Sequence, residues 1–168
     1  MTIHFGDSTS IASGGALGKV LNVVSATKTD TFVSSSTDTD IPNLSATITP
    51  QSSSNKVLIL MSVTGTNNQT NQRFAFGLKR GSTKIALGDA AGNRNRASCG
   101  GQDGSGGHCD SNVVMFVDSP NTTSATTYQA TSMAVDGGNN CVNRSNSDSD
   151  SSSYSRFASF ITVLEIGA

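Results

Sequence analysis

Tryptophan is absent from this 168-residue chain, aromatics make up 5% of it, and only two histidines occur. Glutamate appears once, at Glu165, and the best helix formers are sparse, which counts against a helical fold. Net charge is −1. With so little surplus of Lys and Arg there is no clustered basic surface of the kind phosphate contacts need, so nucleic acid is not an expected partner. No apolar run approaches the ~20 residues that cross a bilayer as a helix, so no membrane partner is expected either. The start, MTIHFGDSTS, lacks the basic and apolar stretches of a secretory signal, and synthesis in a cytoplasm is the expectation.

What the chain has in abundance is hydroxyl and amide. Ser, Thr and Asn together supply 60 of the 168 residues. Such a composition resembles disorder, but disorder normally also needs high net charge and few β-branched residues. Here apolar residues come instead in short, evenly spaced blocks, as in a β-protein with polar outer faces and many turns. Val, Ile, Leu, Ala and seven Phe must fill the core.

Period-2 runs recur along the chain. Lys19–Val24 and Thr29–Ser34 read as one long strand or two joined by a bulge. Leu44, Ala46 and Ile48 alternate with hydroxyl residues, and Pro50 closes that run. In Lys56–Thr64, Val57, Ile59, Met61 and Val63 share one face while Leu58 and Leu60 share the other, so this strand is expected to be covered on both sides. Phe74, Phe76 and Leu78 form the next inward face, and Arg80-Gly81-Ser82 supplies a hairpin turn into Thr83–Leu87. Val113–Asp118, Tyr128–Val135 and Arg156–Ile166 follow, the last apolar on both faces. Strands at this spacing predict an all-β, antiparallel sandwich or jelly roll of about eight strands over residues 18–168.

Three segments stand apart. Residues 1–17 read as an extended arm, with Ile3, Phe5 and Ile11 as its apolar anchors, or equally as a first strand with a frayed terminus. Fully extended, it would reach roughly 55 Å. Residues 88–112 form a 25-residue Gly/Asn/Ser-rich stretch, expected as one long loop whose Arg94, Arg96, Asp103 and His108 meet a neighbouring subunit. A second polar loop spans 143–153.

The chemistry-bearing residues are few. Nucleophilic catalysis needs a Ser or Cys beside a base that a carboxylate orients, and His4 and His108 lie in the arm and in a Gly-rich loop. The Asp residues fall mainly in turns, which suits turn duty better than paired acid catalysis. No enzymatic activity and no cofactor are expected. Cys99 and Cys109 allow three readings, of which free thiols come first. A disulfide closing about ten residues is second, contributing roughly 2.5–3 kcal/mol. A metal held with His108 and Cys141 is third, because the spacing fits no common zinc pattern. Asp38-x-Asp40 and Asp148-x-Asp150 carry calcium-type ligands without the spacing of a known calcium loop.

Several blocks taken in order carry a family resemblance: GALGKVLNVVSATKTDTF (15–32), LSATITPQSSSNKVLILMSVTG (44–65), LKRGSTKIALGDAAGNRNRAS (78–98), VMFVDSPNTTSATTYQATSMAV (114–135) and ASFITVLEIGA (158–168). Together they resemble a small β-sandwich domain of fibre, tail and capsid-surface proteins in marine and cyanobacterial tailed phages. The resemblance implies a homotrimeric, non-catalytic virion protein on the particle exterior. It implies a capsid decoration or cement protein bound to the major capsid protein or other virion proteins, the short arm gripping the shell. The alternative is a tail-fibre or tail-knob component that binds a host receptor or glycan. The two cysteines of the 99–109 segment depart from the family's plain Ser/Asn/Gly pattern.

Overall fold

The computed structural model describes residues 18–103 and 108–167, together with the backbone of two short strands, β1 (Ile3–His4) and β2 (Ser10–Ile11). Every ladder is antiparallel, no helix occurs among the described residues, and two sheets face each other as a β-sandwich. The all-β fold class expected from the alternating runs is the one the chain adopts.

The first sheet contains β3 (Val20–Lys28), β4 (Phe32–Ser34), β6 (Lys56–Asn67), β10 (Asp110–Asp118), β12 (Asn140–Val142) and β13 (Ser159–Ile166). Strand β6 lies centrally. One of its sides pairs with β10, and the other pairs with β13 and then β12 in line. Outermost come β3 against β13 and β4 against β12. The second sheet runs from β5 (Thr39–Ile48) through β11 (Thr126–Ala134) to β7 (Arg73–Arg80). Two short strands, β8 (Thr83–Ile85) and β9 (Cys99–Gln102), share the far side of β7.

Between the sheets lies the core that the period-2 pattern predicts. Val57, Ile59, Met61 and Val63 of β6 meet Phe74, Phe76 and Leu78 of β7, with Ile161 and Val163 of β13 beside them. Burying each such side chain contributes roughly 1.5–3 kcal/mol. Strand β5 reaches the core with an irregular step. Ile41 and Leu44 both point inward because Asn43 takes a left-handed conformation (φ 62°), where a short polar side chain is tolerated. The ladder to β11 shifts register at that bulge, and Gln129 Nε2 donates to the carbonyls of Ile41 and Leu44 that it leaves over.

One cluster of polar side chains joins the two sheets, and a second ties strands of the first sheet to one another. Tyr128 Oη (β11) donates to Asp118 Oδ2 (β10) at 2.7 Å, and Arg80 Nη1 (β7) meets both oxygens of the same carboxylate at 2.9 Å. Asn143, buried and at φ 61°, donates to the carbonyls of Lys28 and Asp30 and accepts from Ser159 Oγ at 2.6 Å.

The structure corrects several expectations. Of the two readings open for Lys19–Val24 and Thr29–Ser34, the structure takes two strands, β3 and β4, separated by residues 29–31 where a bulge was the expected join. The stretch 88–112 is not a single loop: Cys99–Gln102 pairs with β7, and β10 already begins at Asp110. Residues with so little side chain can do this because an added Cβ at Gly100 would stand 2.5 Å from the Phe74 carbonyl oxygen. The close backbone approach requires glycine there. At the N-terminus β1 and β2 pair antiparallel, Ile3 with Ile11 and His4 with Ser10. Phe5 lies outside the described residues.

Candidate functional site: an open sheet face

Alternation sends every second residue of the first sheet outward, and the ladders align those residues in rows. One row runs Val117, Leu58, Leu164, Val23 across β10, β6, β13 and β3. The next holds Met115, Leu60, Thr162 and Ser25, and the third Val113, Ser62, Phe160 and Thr27. None of these twelve positions carries a charge. Met115 is 73% exposed, Val113 68% and Phe160 45%. Polar groups within the face are paired among themselves, as with Ser25 Oγ and Thr162 Oγ1 at 2.9 Å.

Four strands about 4.8 Å apart, over the roughly six residues that three outward rows take up at ~3.3 Å per residue, cover an area on the order of 380 Å². That falls within the range of the largest patch on a typical monomer, about 300–600 Å², and such patches mark interaction sites. The face ends at an unpaired border. Among the described residues strand β10 pairs with β6 alone, which leaves a row of backbone donors and acceptors along its far side. The expectation that β6 is covered on both faces therefore fails within the isolated chain: Leu60 remains 38% exposed.

The second sheet differs. Residues 88–97 fold against its outer side, where Arg94 and Asn95 line one groove with Met133 and another with Ala75. Lys84 pairs with Asp38 at 3.0 Å, and Lys79 with Asp40. This sheet is covered by its own chain. Among the described residues, nothing covers the first in the same way.

The residues singled out from sequence are scattered. Arg94 Nη1 and Arg96 Nε donate to the carbonyls of Ala91 and Gly88, so both guanidinium groups tie their own loop. Arg94 also borders a groove of about 380 Å³ with Arg73, Asn93, Asp136 and Val135. His108 is exposed, with Nδ1 3.4 Å from Asp110 Oδ1. Asp103 does not present itself to a neighbour as expected, because it is fully buried at the end of β9. Ile3 and Ile11 lie on the two short N-terminal strands.

Cys99, Cys109 and Cys141 are all free, so the 99–109 disulfide is not formed. Cys99 sits on β9 below Phe76, while Cys109 Sγ contacts the Arg144 carbonyl at 3.0 Å, and the two side chains serve different parts of the fold. Burial pushes each thiol up to about 11, helped at Cys109 by the charges of Cys141, Asp110 and Asp103. Among the described residues no three His, Cys, Asp or Glu side chains gather as a metal cluster. Asp38 and Asp40 are taken up by lysines, and Asp148 lies between Arg156 and Arg144; the hydrogen bond from Arg156, and then the charges of both guanidinium groups, hold its carboxyl below the usual range.

Sequence reasoning passed over Val113, Met115 and Val117. The signal was present in Val-Val-Met-Phe-Val, a strand apolar on both sides, as a strand buried on both faces would be. No protein-family model matches the chain, and no curated protein matches it.

Proposed function

We propose that this chain is a non-catalytic structural protein of a tailed-phage particle, a homotrimer that decorates the capsid exterior as a cement protein. The open face of the first sheet carries this reading. An uncharged, exposed area of roughly 380 Å² is about half of the ~800 Å² that each partner contributes to a standard interface, and the bare edge of β10 extends it. Its occupant in this reading is another copy of the same chain. The face has no charge with which to select a differently charged partner, and it runs directly into the bare edge of β10. A closed ring of three covers each face and each edge without leaving an open contact that would propagate into fibres.

The phage assignment is supported by the ordered resemblance of the blocks from 15 to 168, and the sandwich fits it. In this reading the N-terminal segment grips the major capsid protein. Deleting residues 1–17 tests that part. Particles assembled with the truncated chain should lose it, while its circular-dichroism spectrum stays β-rich. Normal coating of the capsid by the truncated chain would refute the anchoring role.

A second reading has its own support. The groove beneath Asn93 and Arg94 combines amide and guanidinium groups with Phe74, Ala75 and Val135, a lining suited to a sugar's polar edge and apolar face. In this reading the protein is a tail-fibre or tail-knob component that binds host glycan. Binding of the purified chain to host cells, lost on Arg94→Ala, would favour it over capsid decoration.

A further inference from the structure

We propose that Asp103 and Gln72 form an oxygen-lined site for a hard divalent cation, calcium foremost. Asp103 closes β9, and its backbone N–H donates to the Gln72 carbonyl at 3.0 Å, which sets the two residues opposite each other at the mouth of the β7–β9 ladder. Its own carbonyl accepts from Asn71 at 2.7 Å. Residues opposed in this way have Cβ atoms about 5 Å apart.

The side chains at this point lack partners. Asp103 is 0% exposed, and among the described residues neither of its carboxylate oxygens has a hydrogen-bond donor. Gln72 Oε1 is also buried and unbonded. This opposed pair thus carries three acceptor oxygens that no donor among the described residues meets. That is unusual, since buried polar atoms are nearly always paired. An unpaired buried carboxylate is among the costliest groups a fold can carry.

The neighbourhood deepens the imbalance. Asp110 Oδ2 reaches across β9 and would stand 2.9 Å from a Cβ at Gly101, two residues from Asp103 on the same strand face and so roughly 7 Å away along it. The nearby guanidinium groups are engaged elsewhere, Arg73 with Asp136 and Arg144 with Asp148. A local excess of negative charge, with hard oxygen atoms and no nitrogen or sulfur ligand required, is the chemistry that calcium selects. Calcium's tolerance of irregular geometry and its readiness to complete its shell with backbone oxygen and water suit a site supplied by one carboxylate and one amide better than magnesium's strict octahedron does.

The test uses the full-length chain, stripped with EDTA and then titrated with calcium chloride, with magnesium and sodium chloride at matched ionic strength as controls. Thermal unfolding should shift upward with the logarithm of calcium concentration once the site begins to fill, and terbium luminescence should report saturable binding that calcium reverses. Asp103→Asn should abolish the calcium response and bind no terbium. In EDTA it should also unfold at a higher temperature than the wild type, because the uncompensated charge is gone. Gln72→Leu, which keeps the carboxylate, should weaken binding at least tenfold and serves if the Asp103 variant does not fold. A wild-type unfolding temperature unmoved by calcium would overturn the proposal, as would an undiminished calcium response in either variant.

Discussion

Tyr128 and Asp118 stand on opposite sheets and are joined by a hydrogen bond of 2.7 Å, with Arg80 completing the cluster. The carboxylate ends the edge strand β10, so this bond fixes the strand that borders the open face. Burial and the adjacent carboxylate hold the phenol well above its ordinary pKa, so it remains a donor throughout the neutral range. Tyr128→Phe removes the donor and keeps the ring. A hydrogen bond to a charged group contributes about 1.5–3 kcal/mol, and a loss of that size is expected in urea unfolding. A change below about 0.5 kcal/mol would show that Arg80 alone satisfies Asp118.

Gly65 lies where β6 pairs with β12, directly opposite Val142. A Cβ there would meet the Cys141 carbonyl oxygen at 2.5 Å and Phe76 Cζ at 2.8 Å. The first of these is backbone and cannot swing aside. Gly65→Ala should therefore cost about 1–3 kcal/mol, the usual range for overpacking. The melting temperature should fall by about 2–4 °C for each kcal/mol lost. Gly88→Ala, where nothing lies within 4 Å of the added methyl, serves as the control and should leave it unchanged.

Alkali should destabilise the fold through its thiols. An unfolded cysteine ionises near ~8.5, whereas Cys99 and Cys109 do so at about 11 in the fold. Between those values the folded chain keeps protons that the unfolded chain gives up. Stability is then fully present below about pH 8.5 and declines as pH rises toward 11. Unfolding in urea at a series of pH values should show this decline, and Cys99→Ser/Cys109→Ser should flatten it. Slow reaction of both thiols with iodoacetamide at pH 8 is the companion expectation, since the thiolate is the reactive form.

The parts of this fold that were legible from sequence are those where side chains alternate without interruption. Val57, Ile59, Met61 and Val63 announce β6, and Phe74, Phe76 and Leu78 announce β7, because period 2 directly encodes which face is buried. The Gly81-Ser82 hairpin was legible as well, since Gly81 adopts the positive φ (56°) that the turn needs. Illegible were features made by backbone. Strand β9 is Cys-Gly-Gly-Gln and offers hardly any side chain to form a pattern, so its pairing with β7 and the burial of Asp103 beside it could not be anticipated. The Asn43 bulge is similar: it brings Ile41 and Leu44 to one face at a spacing that breaks alternation. In Leu58, Leu60, Val113 and Met115 the apolar character was plain, but sequence does not distinguish a strand covered by its own chain from one awaiting a partner.

The account rests most heavily on that partner being another copy. Sedimentation equilibrium of the purified 17.2 kDa chain should return three times the monomer mass at micromolar concentration. Met115→Lys combined with Val117→Lys, which places two charges on the border strand of the open face, should return the monomer mass with the β-rich spectrum intact. A wild-type chain that sediments as a monomer, or a doubly substituted one that still forms trimers, would contradict the assignment of this face to self-assembly.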